Sequence, residues 1–300
     1  MVHNVWIREV RAPFLLLPTI FVPIGIAIAW NHGYFDLLTA ILSIFGVVSL
    51  HASVNVLNDY FDYRSGIDLV TTPTPFSGGS RILPAKELTS NSVLFAGIGF
   101  LAAGLSTGFY FVYKFAFDPL LIGILLAAAV SIVAYSPLIS TWGIGELIVG
   151  LNFGPMLMLG TYYVQTKTIH PEPILVGAVL GILTMGILYI NEFPDTDADM
   201  QKGRMHLIAR WGKAKAAQRF NVLIGSAYLI IIASVILGFI TPFALLSLIA
   251  LPKARTAARV LSQNYEKIME LVPGMASMVM TTLWTALLLL VGYIISGLVF

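Results

Sequence analysis

Three observations predict an all-α, multi-pass membrane protein with about nine transmembrane helices. Hydrophobic residues make up 58% of the 300 and charged residues only 11%, against about 25% charged in soluble domains. Apolar runs recur along the whole chain, and roughly 20 apolar residues suffice to cross a bilayer. The carboxylates gather in two stretches, 55–68 and 191–199, each at the end of such a run. The absence of cysteine excludes disulfides, thiolate metal sites and cysteine nucleophiles.

Arg8 and Arg11 precede the first run as in a signal peptide, but no small-residue cleavage site follows. The run reads as a retained helix over 13–30. A second helix, 37–62, ends in the first acidic stretch. Helices over 92–113, 119–136 and 144–164 follow, and one over 174–192 ends in the second. Helices over 217–238, 243–263 and 275–298 complete the nine. The eighth is the weakest: Phe243 to Leu251 is short, and Pro252, Lys253, Arg255 and Arg259 follow. It is expected to emerge early as an amphipathic stem. No polar connection is long enough to fold separately, so residues 1–300 read as a single transmembrane domain.

With the N-terminus in the cytoplasm, every Lys and Arg of the 17 except Lys114 and Lys167 falls inside, as the positive-inside rule asks. This expects an integral protein of the cell (plasma) membrane. Both acidic stretches then share the cytoplasmic face. They end the second and sixth helices, which suggests pseudo-repeated four-helix units with a ninth helix added. Cap loops of about 63–91 and 193–215 cover the same face, and loops of this length are usually functional.

A charge deep in a membrane helix costs about 2.5–3.5 kcal/mol on insertion scales, so the acids need a compensating ligand. Asn55 and Asp59, Asn191 and Asp195, and Asp195 and Asp199 are four apart, and Asp59 and Asp62 three apart. Such pairs share a helix face. Each stretch presents a column of hard oxygen donors, which favours Mg²⁺. Magnesium takes one or two carboxylates and completes its shell with water and phosphate oxygens. Two facing columns therefore suggest Mg²⁺ ions holding a diphosphate. Arg64, Arg81, Lys202, Arg204 and Arg210 are candidates for the phosphate oxygens, Arg by bidentate contacts. All but Arg64 read equally well as topology signals. Asp197 lies off the 195/199 face and reads as solvated, and Glu192 is left open.

Tyr60, Phe61, Tyr63, Tyr135, Tyr162, Tyr163 and Tyr189 lie where rings can face a carbocation or pack at the lipid interface. Packing is the better reading for most. Tyr135, before Ser136-Pro137, is the exception. His51 reads as a packing residue and His206 as a weak acid–base or phosphate candidate. Gly78-Gly79 lacks the P-loop pattern.

Asn58-Asp-Tyr-Phe-Asp62 with Asp68 beyond, and Asp195-x-x-x-Asp199 followed by Gly203-Arg204 and Leu207, resemble the two Asp-rich motifs of the UbiA superfamily of intramembrane prenyltransferases. Tyr135-Ser136-Pro137 and Gly145-Glu146-Leu147 running to Phe153-Gly154-Pro155 agree. The common spacing would place the last acid of the first motif at Gly66; here it is Asp68. Ser65 to Asp68, Thr74 to Gly79 and Leu159 to Thr166 look like the naphthoate-prenylating, menaquinone-forming branch. The resemblance implies a helical fold with a lipid-open central cavity. It implies a polyprenyl diphosphate and an aromatic acceptor, 1,4-dihydroxy-2-naphthoate first, as substrates. It also implies Mg²⁺ held through Asp59, Asp62, Asp195 and Asp199, with Asp68 as a further ligand and Asn55, Asn58 and Asn191 assisting.

Other acceptors fit the same family: a glyceryl phosphate of archaeal lipid synthesis, or another quinone precursor. A divalent-cation or phosphate-ester transporter is the non-enzyme alternative. It needs a polar route to the outer face, whereas the outer halves of the helices hold almost no ionisable residues. Membrane lipid is an expected partner and nucleic acid is not; no residue specifies an oligomeric state.

Overall fold

The computed structural model describes residues 2–299, with side chains from Val5 onward. The described residues form helices and loops and no strand. α1 (Val2–Glu9) is short. A 3₁₀ turn, Ala12–Leu15, leads into α2 (Leu16–Asn31). α3 (Leu37–Ser65), α4 (Ser90–Lys114) and α5 (Pro119–Ala134) follow. α6 (Gly145–Leu151) passes through a π turn, Asn152–Met156, into α7 (Leu157–Thr166). Then come α8 (Pro171–Gln201), α9 (Leu207–Trp211) and α10 (Lys213–Ile236). A 3₁₀ segment, Pro242–Ala250, precedes α11 (Leu251–Asn264), and α12 (Ile268–Val299) ends the chain.

The starts follow ordinary capping chemistry. Asp36 accepts from the Thr39 N–H at 2.7 Å, and Asp118 from the Leu120 N–H at 2.9 Å ahead of Pro119. The His170 imidazole receives the Glu172 N–H at 3.3 Å ahead of Pro171. Seven segments, the long helices and the α6–α7 pair, are apolar and long enough to cross a membrane. The protein is an integral membrane protein. Phe95, Val130, Val222 and Ile236 stay exposed on its outside, where lipid would cover them.

Two expectations change. α8 does not end at residue 192 but continues to Gln201, so the second cap loop is not 193–215; only 202–206 separate α8 from α9. Pro194 does not stop the helix. Proline deprives only the residue 190 carbonyl of its partner, a loss that packed membrane helices tolerate. The predicted eighth helix has two parts. Nine residues of 3₁₀ helix span ~18 Å and the fourteen of α11 ~21 Å. In α11 Ala254, Ala257, Ala258 and Leu261 are buried while Lys253, Arg255 and Arg259 are exposed, an amphipathic stem as expected.

α8 and α12 carry the main core with α2 and α10. Phe21, Leu183, Phe193, Phe220 and Tyr293 are buried there. Tyr189 packs among Phe193, Trp211 and Phe220 and donates to the Ala216 carbonyl, so it belongs to the core. α6 and α8 cross at backbone contact. A Cβ on Gly181 would lie 2.2 Å from the Gly150 carbonyl oxygen, and one on Gly154 would lie 2.4 Å from that of Gly177. α5 packs loosely, with Leu121 its buried residue. Apolar cavities of about 160 and 130 Å³ open between it, α3 and α7.

The far end is more polar than expected. Glu172 is buried and accepts from the Tyr293 hydroxyl at 2.9 Å, while His32 touches Glu172 at 3.0 Å and the Tyr162 hydroxyl at 2.7 Å. Every group in this cluster is partnered. It ties the ends of α2, α7, α8 and α12 together.

Candidate active site

α3 and α8 both leave the bundle through left-handed glycines. Gly66 caps α3 at φ 74°, a conformation that costs an L side chain roughly 1–2 kcal/mol. This accounts for glycine where the common motif has its last acid. The Ile67 N–H bonds back to the Asp62 carbonyl at 3.1 Å, and Asp68 is thereby buried in the cavity wall. After α8, Gly203 has φ 82°, and the Arg204 N–H returns to the Asp199 carbonyl at 2.9 Å. The Arg204 side chain then faces both acidic columns.

A cavity of about 260 Å³ lies between the two helix ends. Asp62, Asp68, Asp195, Asp199, Asn55, Asn58, Asn191 and Tyr135 all line it. Arg204 makes a two-pronged contact with Asp62, one arm at 3.4 Å, and lies 3.9 Å from Asp199. Asp59 is buried behind the lining, bonded to Arg11 and to the Ser80 N–H at 3.1 Å. Asp195 accepts the Gly78 N–H at 3.2 Å. Asn58 accepts from Ser136, and Asn55 donates to the Val10 carbonyl at 3.0 Å.

The first cap loop closes over this cavity from the α3 side. A Cβ on Gly79 would lie 2.7 Å from Asp68 Oδ1, and Gly79 itself has φ 74°, so only glycine lets the loop sit on the acid. Burial, then the charges of Asp62 and Asp59, pushes the Asp68 carboxyl up to about 8. A divalent cation relieves that crowding. The donors are hard oxygens, and buried Asp195 Oδ1 and Asn191 Oδ1 have no partner. The set fits Mg²⁺.

Several candidates lie elsewhere. Arg64 is exposed, because it is two residues from Asp62 on the helix and faces away. Lys202 is exposed beside Gly66. Arg81 donates to the Asp68 carbonyl, so it braces the loop. Arg210 binds the Trp142 and Met205 carbonyls. Asp197 is 76% exposed and pairs with Lys213 at 2.9 Å. His51 packs edge-on against Phe153. Tyr135 stands at the junction of the polar cavity and the adjoining apolar one.

Sequence reasoning missed two cavity residues. Arg11 reads from sequence as a topology signal, yet it lines the cavity. Glu146, in the first turn of α6, is fully buried and lines the cavity; from sequence it is one member of the Gly145-Glu146-Leu147 stretch. His206 and Glu192, left weak or open, also line the cavity. His206 Nε2 is 3.4 Å from Asp199 Oδ2.

A helical bundle with buried acids and partly buried arginines around one polar cavity, which shares wall residues with an apolar one, defines a membrane-embedded enzyme class. The UbiA prenyltransferase family pattern matches residues 15–279, and the chain belongs to that family; it is a prenyltransferase. It is similar to the 1,4-dihydroxy-2-naphthoate octaprenyltransferase of Bacillus subtilis, 25% identical over 92% of this chain and 88% of that one. Among solved structures, the apo UbiA homolog from Aeropyrum pernix K1 has a TM-score of 0.66 at 17% identity, covering 94% of this chain and 98% of that one. A UbiA homolog from Archaeoglobus fulgidus bound to DMAPP and Mg²⁺ has a TM-score of 0.60 at 14% identity, covering 98% and 99%. These likenesses are of fold.

Proposed function

We propose Mg²⁺-dependent transfer of a polyprenyl group from an allylic diphosphate to an aromatic acceptor, with 1,4-dihydroxy-2-naphthoate as first choice. The observation that carries this reading is the single cavity shared by both acidic columns, with Arg204 between Asp62 and Asp199. The name of the Bacillus relative supports the acceptor, and the Archaeoglobus complex supports the metal and the diphosphate.

Asp59, Asp62, Asp68, Asp195 and Asp199 would hold the metal, with Asn55, Asn58 and Asn191 in reach of the same ligand. Bound Mg²⁺ supplies Lewis-acid stabilisation of leaving-group charge. Arg204 and Arg11, paired with Asp62 and Asp59, would turn their forks to phosphate oxygens. His51, Val54, Tyr135, Val149 and Phe153 line both the polar and the apolar cavity, so a prenyl chain would pass between them toward α5. Their side chains exclude water from the carbon that loses its C–O bond, and Tyr135 offers it a ring face. The acceptor ring carbon forms the new C–C bond and the ring then loses a proton.

The proposal includes nine crossings, in which Pro119–Ala134 and Pro242–Asn264 join the seven long spans. It also includes one domain over the whole chain and a working face toward the cytoplasm of a plasma membrane. The test is product analysis of purified protein with a labelled polyprenyl diphosphate and an acceptor panel. Prenylated naphthoate formed only with Mg²⁺ is the expected result; diphosphate release without any prenylated product refutes the reading.

A further inference from the structure

Glu146, Glu192 and His206 each offer an atom within 4.8 Å of the others. Glu192 stands on α8 one turn before Asp195, and His206 Nε2 lies 3.4 Å from Asp199 Oδ2, so the group adjoins the second Asp column. Glu146 Oε1 accepts the Leu207 N–H at 2.7 Å, which fixes the carboxyl. Its Oε2 is buried without a hydrogen-bond partner, as is Glu192 Oε2, while His206 accepts the Ala209 N–H at Nδ1 and turns Nε2 to Asp199 Oδ2. Unpaired acceptors so deep are costly unless a ligand supplies donors. Beyond them the wall is largely apolar: Val149 on α6, Phe153 in the π turn, and Ile187 and Leu188 on α8, with Thr184 the polar residue of that α8 face. The backbone contacts of Gly150 with Gly181 and of Gly154 with Gly177 fix the spacing of these two walls. Acceptor atoms at the top of two largely apolar walls fit a flat ring that carries hydroxyl groups.

We propose that Glu146 and Glu192 form the acceptor subsite. They receive O–H hydrogen bonds from a hydroxylated aromatic acceptor whose ring lies between Val149 and Leu188. The inference rests on the prenyl-transfer reading and adds the residues and the ligand state. The reduced, hydroxyl-bearing acceptor binds, and its quinone form, which has no O–H to donate, does not. A metal ion is the less favoured occupant, because the three atoms stand at the head of largely apolar walls.

The experiment compares wild type with Glu146→Gln, which keeps an oxygen for the Leu207 N–H and removes the charged acceptor. Loss of a hydrogen bond to a charged group corresponds to roughly tenfold or more in affinity. The acceptor KM is expected to rise by about that factor. Binding of a prenyl thiolodiphosphate with Mg²⁺ stays within about twofold of wild type. In wild type, the O-methylated acceptor and the quinone show a comparable loss, and Glu146→Gln adds little to it. Glu192→Gln, whose carboxyl accepts no backbone N–H among the described contacts, gives the same signature and serves if the first variant loses stability. An unchanged acceptor KM in both variants, equal binding of quinone and diol, or a loss confined to Mg²⁺ affinity overturns the proposal. If wild type prenylates no hydroxylated aromatic at all, the parent reading fails and this one falls with it, a result distinct from the preceding three.

Discussion

Replacing Asp195 by Asn tests the diphosphate site with little disturbance of shape. The asparagine oxygen can still accept the Gly78 N–H, now bonded at 3.2 Å, so the cap loop keeps its anchor. What disappears is the charge next to Oδ1, the buried oxygen without a partner. Two unit charges 4 Å apart interact by about 4 kcal/mol at an effective dielectric of 20, and a divalent ion doubles that. Desolvation offsets much of the gain, and if half survives, about 4 kcal/mol or three orders of magnitude in ligand affinity is lost. The assay is Mg²⁺-dependent release of diphosphate from a labelled prenyl diphosphate, with thermal unfolding in detergent as the folding control. The reasoning expects a folded protein whose turnover falls about a thousandfold and recovers partly at high Mg²⁺. Turnover within about tenfold of wild type at equal Mg²⁺ removes Asp195 from the site.

Arg204→Ala takes a bidentate donor from the cavity, and the KM for prenyl diphosphate should rise about tenfold or more in steady-state kinetics. Arg64→Ala, on the exposed face of α3, should leave kcat and KM near wild type in the same assay. Gly66→Ala forces an L side chain to φ 74° and should cost about 1–2 kcal/mol of stability, with Asp68 displaced; a lowered melting temperature together with lowered turnover checks it. In chelator, the protein should become less stable as pH rises from about 4 toward 8. Burial, then Asp59, raises Glu9 to about 7, and Asp68 stands at about 8. The folded state therefore holds protons that the unfolded chain has released. Thermal melts across that range measure the slope, and added Mg²⁺ should flatten it by relieving Asp68.

Much of the site was legible because its chemistry is local. The three- and four-residue spacings of Asp59, Asp62, Asp195 and Asp199 place oxygens on one face wherever the chain is helical, and α3 and α8 are helical there. The end of α8 was not legible, because the apolar run stops where the acidic stretch begins. Only the packed context around Phe193, Thr196 and Ala198, all buried, carries the helix on. Arg11 was misread for a related reason. A basic residue before a first span has a sufficient explanation in topology, and its contact with Asp59 spans 48 positions. Glu146 needed the α6–α8 crossing, whose glycines look ordinary one at a time. The polar cluster of His32, Tyr162, Glu172 and Tyr293 joins four helix ends that no spacing rule connects.

Binding of a prenyl thiolodiphosphate, followed as Mg²⁺ is titrated into wild type, Asp62→Asn and Asp199→Asn, tests most directly whether the two helices grip one ligand. Wild-type binding should need the metal, and each variant, altered on a different helix, should lose about tenfold or more of the metal-dependent affinity. Equal binding in chelator, or one variant matching wild type while the other fails, would contradict the shared site.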